Sequence, residues 1–143
     1  MAYRENAEIL KAGCLADGVY EIWFETKNIA KEAKAGQFIS VYSNDGSRLL
    51  PRPISICRIE GSKLRIVYRV AGKGTAEFSQ MKAGDRLDIQ GPLGNGYDIE
   101  KIAEELKAEG RSFDRAILFG GGIGIPPMLE LAHKLNCHRN VVV

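Results

Sequence analysis

Residues 64–82 read LRIVYRVAGKGTAEFSQMK. The first part is rich in β-branched and aromatic residues and predicts a strand from Leu64 to Ala71. It runs into Gly72 and Gly74, and the strand-poor remainder, Thr75 to Lys82, predicts one or two helical turns opening on those glycines. The strand signature recurs on both sides, at Ala7 to Lys11, Val19 to Thr26, Phe38 to Tyr42, Ile54 to Ile59 and Arg86 to Gln90. Turn residues separate these runs at Asp17-Gly18, Ala35-Gly36, Asn44-Asp45-Gly46, Glu60-Gly61-Ser62 and Ala83-Gly84-Asp85. Six short strands punctuated in this way predict a closed or nearly closed antiparallel barrel.

Beyond Pro92 the character changes. Ile99 to Glu109 places Ile99, Ile102, Ala103 and Leu106 at helical spacing, with Gly110 as the stop. Arg115 to Phe119 then reads as a compact apolar strand, Gly120 to Gly124 as a glycine turn, Pro126 to Leu135 as a helix, and Asn140 to Val143 as the start of another strand. That order is the opening of a parallel α/β unit. The expected division is a barrel over residues 1–98, a linker helix over 99–112 and an incomplete α/β unit over 113–143. Its apolar strand edges are expected to pair with another copy or with a partner chain.

Composition narrows the function classes. The chain has 143 residues, 45% apolar and 27% charged, which excludes a disordered tail, a collagen-like repeat and a coiled coil. Its 16 glycines exceed the usual share of ~7%, as expected of a chain with tight turns or a backbone that approaches a ligand closely. Twenty Lys plus Arg against 18 Asp plus Glu leave a net charge of +2, too even to suggest a nucleic acid or an anionic membrane. With no apolar run long enough for a membrane span and no signal-peptide core, a cytoplasmic protein is expected. Cys14, Cys57 and Cys137 form no C-x-x-C pair, so neither a disulfide framework nor a metal site is predicted. All three are expected to be reduced and mostly buried, and His133 and His138 to lie on the surface.

Four segments carry candidate chemistry. Arg52-Pro53-Ile54-Ser55 opens a strand with a permanently charged donor fork suited to phosphate, and adds a small hydroxyl; it also reads as a plain proline-led strand beside an exposed arginine. Tyr68-Arg69-Val70-Ala71-Gly72-Lys73-Gly74-Thr75 ends a strand on two glycines where a phosphate could approach backbone N–H groups, or is simply a glycine turn capped by Thr75. Glu77 would oppose an anion on the helix axis, which favours Gly74 and Thr75. Gly91-Pro92-Leu93-Gly94-Asn95-Gly96-Tyr97 is a long turn leaving the barrel, close enough in sequence to the junction to shape a pocket there. Gly120-Gly121-Gly122-Ile123-Gly124-Ile125-Pro126-Pro127 is a strand-glycine-helix turn of the nucleotide-phosphate kind, with Pro127 where the third glycine of G-x-G-x-x-G belongs.

Taken in this order, the four segments resemble the ferredoxin-NADP reductase superfamily, and within it most resemble the electron-transfer subunits of type B dihydroorotate dehydrogenase. The resemblance spans almost the whole chain. It implies a six-stranded antiparallel Greek-key barrel that binds FAD, followed by the first βαβ part of a nucleotide-binding domain. FAD would be held by Arg52, Pro53, Ile54 and Ser55, by Val67, Tyr68 and Arg69, and at its pyrophosphate by Gly74 and Thr75 with Gly72 beside them. Gly121 and Gly122 would lie in the NAD(H)-side turn. The resemblance further implies electron flow from NADH to FAD, through a two-iron two-sulfur cluster, to FMN in a catalytic dihydroorotate dehydrogenase subunit of a heterotetramer in pyrimidine biosynthesis. Two features depart from it. Many superfamily members have Tyr where this chain has Ile54, so flavin stacking is expected from elsewhere or from aliphatic packing. Family members also continue into the rest of the nucleotide domain and a cysteine group that holds the cluster. Cys14, Cys57 and Cys137 do not match those ligands, so the chain is expected to be a fragment without iron. The alternatives are a subunit of another NAD(P)H-dependent flavin or iron-sulfur reductase, and a flavin-free structural barrel.

Overall fold

The computed structural model describes residues 1–46 and 50–137. Strands β1 (Tyr3–Ala16), β2 (Val19–Glu25), β3 (Phe38–Val41), β4 (Arg52–Glu60), β5 (Lys63–Arg69) and β6 (Arg86–Leu93) close a barrel in the order β1-β2-β5-β4-β3-β6. Every pairing is antiparallel, and the two connections that skip neighbours, β2 to β3 and β5 to β6, give the Greek-key path. Register follows the apolar alternation. Ile22 lies opposite Ile66 and Phe24 opposite Leu64, and all four are fully buried with Ile9, Ile39 and Ile89 in one core. All six expected strands are present.

Strand β1 extends well beyond the expected Ala7 to Lys11, because irregularities between Ile9 and Lys11 and between Cys14 and Ala16 break its alternation while its pairing with β2 continues. Helix α1 (Ile29–Glu32) was not legible in the sequence. Its start is capped from a distance: the Glu5 carboxylate accepts hydrogen bonds from the backbone N–H groups of Lys27 at 2.7 Å and Asn28 at 2.8 Å. Helix α2 (Lys73–Phe78) starts two residues before the expected Thr75 and is shorter than expected. It sends Phe78 into the barrel core, where the ring meets Tyr68 edge to face at 6.2 Å between centroids.

Helix α3 (Ile99–Ala108) matches its expectation, with the Asp98 side chain accepting from the Lys101 N–H at 3.1 Å and Gly110 taking φ +70° beyond its end. The expected strand Arg115 to Phe119 does not form: Arg115 carries only an isolated bridge, and Ile117 and Phe119 are 72% and 87% exposed. An isolated extended segment becomes a strand only beside a partner ladder, and no described residues supply one. A 3-10 turn (Gly122–Gly124) and helix α4 (Pro126–Cys137) follow as expected, the helix two residues longer. The strand expected at Asn140 to Val143, and His138, lie outside the described residues. A second, small core joins α4 to the barrel, where Leu131 and Leu135 pack with Ala35, and Phe113, Ala116 and Leu118 border them.

Candidate functional site

The first and second sequence segments meet in space. Arg52, the first residue of β4, is half-buried and donates from Nη1 to the Leu50 carbonyl at 2.8 Å. Its guanidinium lies directly over Gly74, where a Cβ would stand 2.9 Å from Arg52 Nε and 3.2 Å from Cζ and Nη2. The bare backbone at Gly74 thus lets the Arg52 guanidinium lie against the turn, and a side chain there would displace it. The turn itself is held by Thr75, whose hydroxyl accepts from the N–H groups of Ala71 at 2.8 Å and Gly72 at 3.2 Å. Gly72 has extended backbone, and a Cβ there would meet nothing within 4 Å. Glu77 faces the loop after β3: it accepts from Ser43 Oγ and from the Asn44 N–H at 2.8 Å. Its carboxylate thus serves that loop.

Downstream of Arg52, the β4 side chains alternate. Pro53 and Ser55 are exposed, while Ile54 turns inward and is only 8% exposed, within the barrel core. On neighbouring β5, Val67 is buried and Arg69 exposed. The ring of Tyr68 lies inside the barrel, stacked on Tyr20 at 6.2 Å between centroids, and its hydroxyl is buried with no hydrogen-bond partner among the described residues. Burial raises the Tyr68 hydroxyl far above the ordinary tyrosine range. Replacing Tyr68 by Phe removes the unpartnered hydroxyl and keeps both ring contacts; unfolding in urea should show a gain of about 1 kcal/mol. A loss of that size would mean that the hydroxyl has a partner in solution.

The third segment docks on the barrel. Tyr97 N–H donates to the Ala35 carbonyl at 2.8 Å, Gln37 Nε2 donates to the Gly94 carbonyl at 2.7 Å, and the Tyr97 ring lies over Gly36, where a Cβ would come within 2.6 Å of two ring carbons. Gly36 also has φ +88°, so both conformation and space call for glycine. The fourth segment lies against β5 through its 3-10 turn, with α4 packed on β4. Gly121 is extended and Gly122 has φ +55°.

A group that sequence reasoning missed underlies this junction. Glu130 of α4 is fully buried and accepts from Arg58 Nη1 at 2.8 Å and from the Ile59 N–H at 2.9 Å. With Glu130 and Arg58 72 positions apart, no local signal marks the pair. On the outer face of β2 and β5, the buried Glu21 meets Arg65 Nε at 2.7 Å and Lys11 Nζ at 2.6 Å. Burial pushes the Glu21 carboxyl up, but the hydrogen bonds from Lys11 and Arg65 outweigh it and leave the group below its ordinary value. Cys57 is buried, with its thiol pushed up by burial, whereas Cys14 and Cys137 are exposed. This corrects the expectation that the cysteines are mostly buried: Cys14 follows the barrel rim on β1, and Cys137 ends α4. His133 is exposed, as expected. Among the described residues, no helix is long and apolar enough to cross a membrane, and no three His, Cys, Asp or Glu side chains gather.

Comparison with known proteins bears on fold and function. No protein-family model matches the chain. Curated relatives at about 40% identity do: the electron transfer subunit of dihydroorotate dehydrogenase B (NAD(+)) from Streptococcus mutans is 41% identical over 143 residues, covering 99% of this chain and 52% of that protein. The chain thus spans about half the length of the curated relatives it matches. Among solved structures, an NADH-dependent reduced ferredoxin-NADP oxidoreductase described for flavin-based electron bifurcation superposes with a TM-score of 0.78 at 30% identity, over 96% of this chain and 46% of its own. A flavohemoglobin from Malassezia yamatoensis with bound FAD and heme gives 0.74 at 27% identity, over 96% of this chain and 36% of its own. The architecture is that of the ferredoxin reductase-like barrels.

Proposed function

We propose, from its likeness to the electron transfer subunits of dihydroorotate dehydrogenase B and to ferredoxin reductase-like flavoproteins, that this chain is an FAD-binding electron-transfer module. The observation that carries this reading is the seating of the Arg52 guanidinium on Gly74. It places a permanent cation beside a backbone turn locked by Thr75, a donor set suited to a dinucleotide pyrophosphate. On this reading Arg52, Gly74 and Thr75 hold the pyrophosphate, with Gly72 leaving room beside them. Ser55 offers an exposed hydroxyl to the flavin ring, and Pro53, Val67 and Arg69 line the same face. Ile54 and Tyr68, whose side chains point into the barrel core, contribute through their backbone. FAD held there would supply the hydride and electron-transfer chemistry. The chain's own residues bind the phosphates and orient the ring.

Residues 1–98 form the flavin barrel, 99–112 the linker, and 113–143 the opening of the NAD(H)-binding part, with Gly121 and Gly122 on its nucleotide side. Electrons pass between NADH and a catalytic, FMN-containing dihydroorotate dehydrogenase subunit of the pyrimidine pathway, in the cytoplasm. The 30% identity to a ferredoxin-NADP oxidoreductase chain supports a second reading, a subunit of another NAD(P)H-dependent reductase. Adding excess FAD to the purified chain, desalting and recording the visible spectrum tests the flavin assignment. A retained flavin band is expected, and a colourless protein overturns it.

A further inference from the structure

Helix α4 follows the glycine turn directly, so whatever fixes α4 also fixes the turn. Its apolar contact with the barrel, through Leu131 and Leu135, resists separation but is non-directional. Glu130 adds direction. Strand β3 pairs with β4 from Arg52 to Ser55, so at Ile59 the β4 edge that faces away from β5 has no strand beside it among the described residues. Glu130 Oε2 takes the place of the missing strand carbonyl, accepting the Ile59 N–H at 2.9 Å and the Arg58 guanidinium at 2.8 Å. Its Oε1 has no hydrogen-bond partner among the described residues, and the Lys134 ammonium one turn further along stands 3.8 Å away. A buried carboxylate in such a position tolerates little sliding or rotation of its helix, since either would strand a desolvated charge.

We infer that Glu130 is a positioning residue: docked on the open edge of β4, it sets where the Gly120 to Gly124 turn sits against the barrel. It thereby sets the approach of the nucleotide side to the flavin side, a role that rests on the function proposed above. Two native cysteines make the test direct. Cys14 on β1 and Cys137 at the end of α4 are exposed, whereas Cys57 is buried, so nitroxide labels on the exposed pair report the barrel-to-helix distance by pulsed EPR. A narrow distribution is expected for the unmutated chain and for Glu130→Gln, whose amide oxygen can accept both hydrogen bonds. Glu130→Ala is expected to broaden or displace it. Because that variant leaves the Arg58 guanidinium with the Glu60 carboxylate at 3.6 Å and a buried gap beside it, the double variant R58M/E130L, which removes both Arg58 and Glu130, is expected to fold and show the same broadening. FAD retention should be equal in all four proteins, since Arg52 and Gly74 are untouched. Distributions in Glu130→Ala and R58M/E130L as narrow as in the unmutated chain would overturn the inference, as would failure of both to fold. An unmutated chain that retains no FAD would sink the flavin assignment, while the label distance still decides the role of Glu130.

Discussion

Arg52→Ala is expected to weaken FAD binding more than about tenfold, since a hydrogen bond from a charged donor contributes ~1.5–3 kcal/mol and tenfold corresponds to ~1.4 kcal/mol. The barrel itself should hardly notice. Arg52 is half-buried at the start of β4, and its guanidinium donates to the Leu50 carbonyl two positions back, a local contact whose loss leaves the strand ladders in place. Arg52→Lys should recover only part of the affinity, because a point charge on a flexible stem lacks the flat guanidinium that lies against Gly74. Flavin-fluorescence titration measures both variants, and an unchanged dissociation constant for Arg52→Ala would remove that residue from the site.

Gly74→Ala should damage the same site from the other side. The added Cβ would stand 2.9 Å from Arg52 Nε, closer than non-bonded atoms tolerate, so the guanidinium must move off the turn. A loss of FAD affinity of about tenfold or more is expected, comparable to deleting one charged hydrogen bond. Helix propensity pulls the opposite way: Gly74 lies within α2, where alanine is favoured over glycine by up to ~1 kcal/mol. The variant should therefore bind flavin worse without losing helix stability, a combination that general unfolding does not produce. Gly13→Ala on β1 is the control, because a Cβ at position 13 meets nothing within 4 Å and the residue lies outside the proposed flavin site. Equal FAD dissociation constants for the two alanine variants would mean that the close approach of Arg52 to Gly74 plays no part in binding.

The strands were legible because a barrel strand alternates one face into the core, and that alternation survives in the order of residues, as at Ile22, Phe24, Leu64 and Ile66. Strand ends were less so. The bulged half of β1 loses the period of two while keeping its partner, and α1 owes its start to Glu5, more than 20 residues earlier. Arg115 to Phe119 shows the converse: a short apolar run states a propensity, but a strand requires a second ladder to bond with. The cysteines repeat the point, since type alone favours burial and only position decides that Cys57 is enclosed while Cys14 and Cys137 face solvent.

For the candidate site the division is similar. Arg52, Ser55, Gly74 and Thr75 stood out by residue type in short segments, because donor forks, hydroxyls and side-chain-free backbone are local properties. The contact of Arg52 with Gly74 joins positions on separate elements, and the grip of Glu130 on Arg58 and Ile59 joins α4 to β4. Residue order by itself determined the alternation, the turns and the chemical character of each segment, since these depend on neighbours along the chain. Tertiary structure alone decided which glycine must stay bare, which tyrosine hydroxyl is stranded and which carboxylate seats α4, because close approach and desolvation arise only when distant segments exclude water from one another.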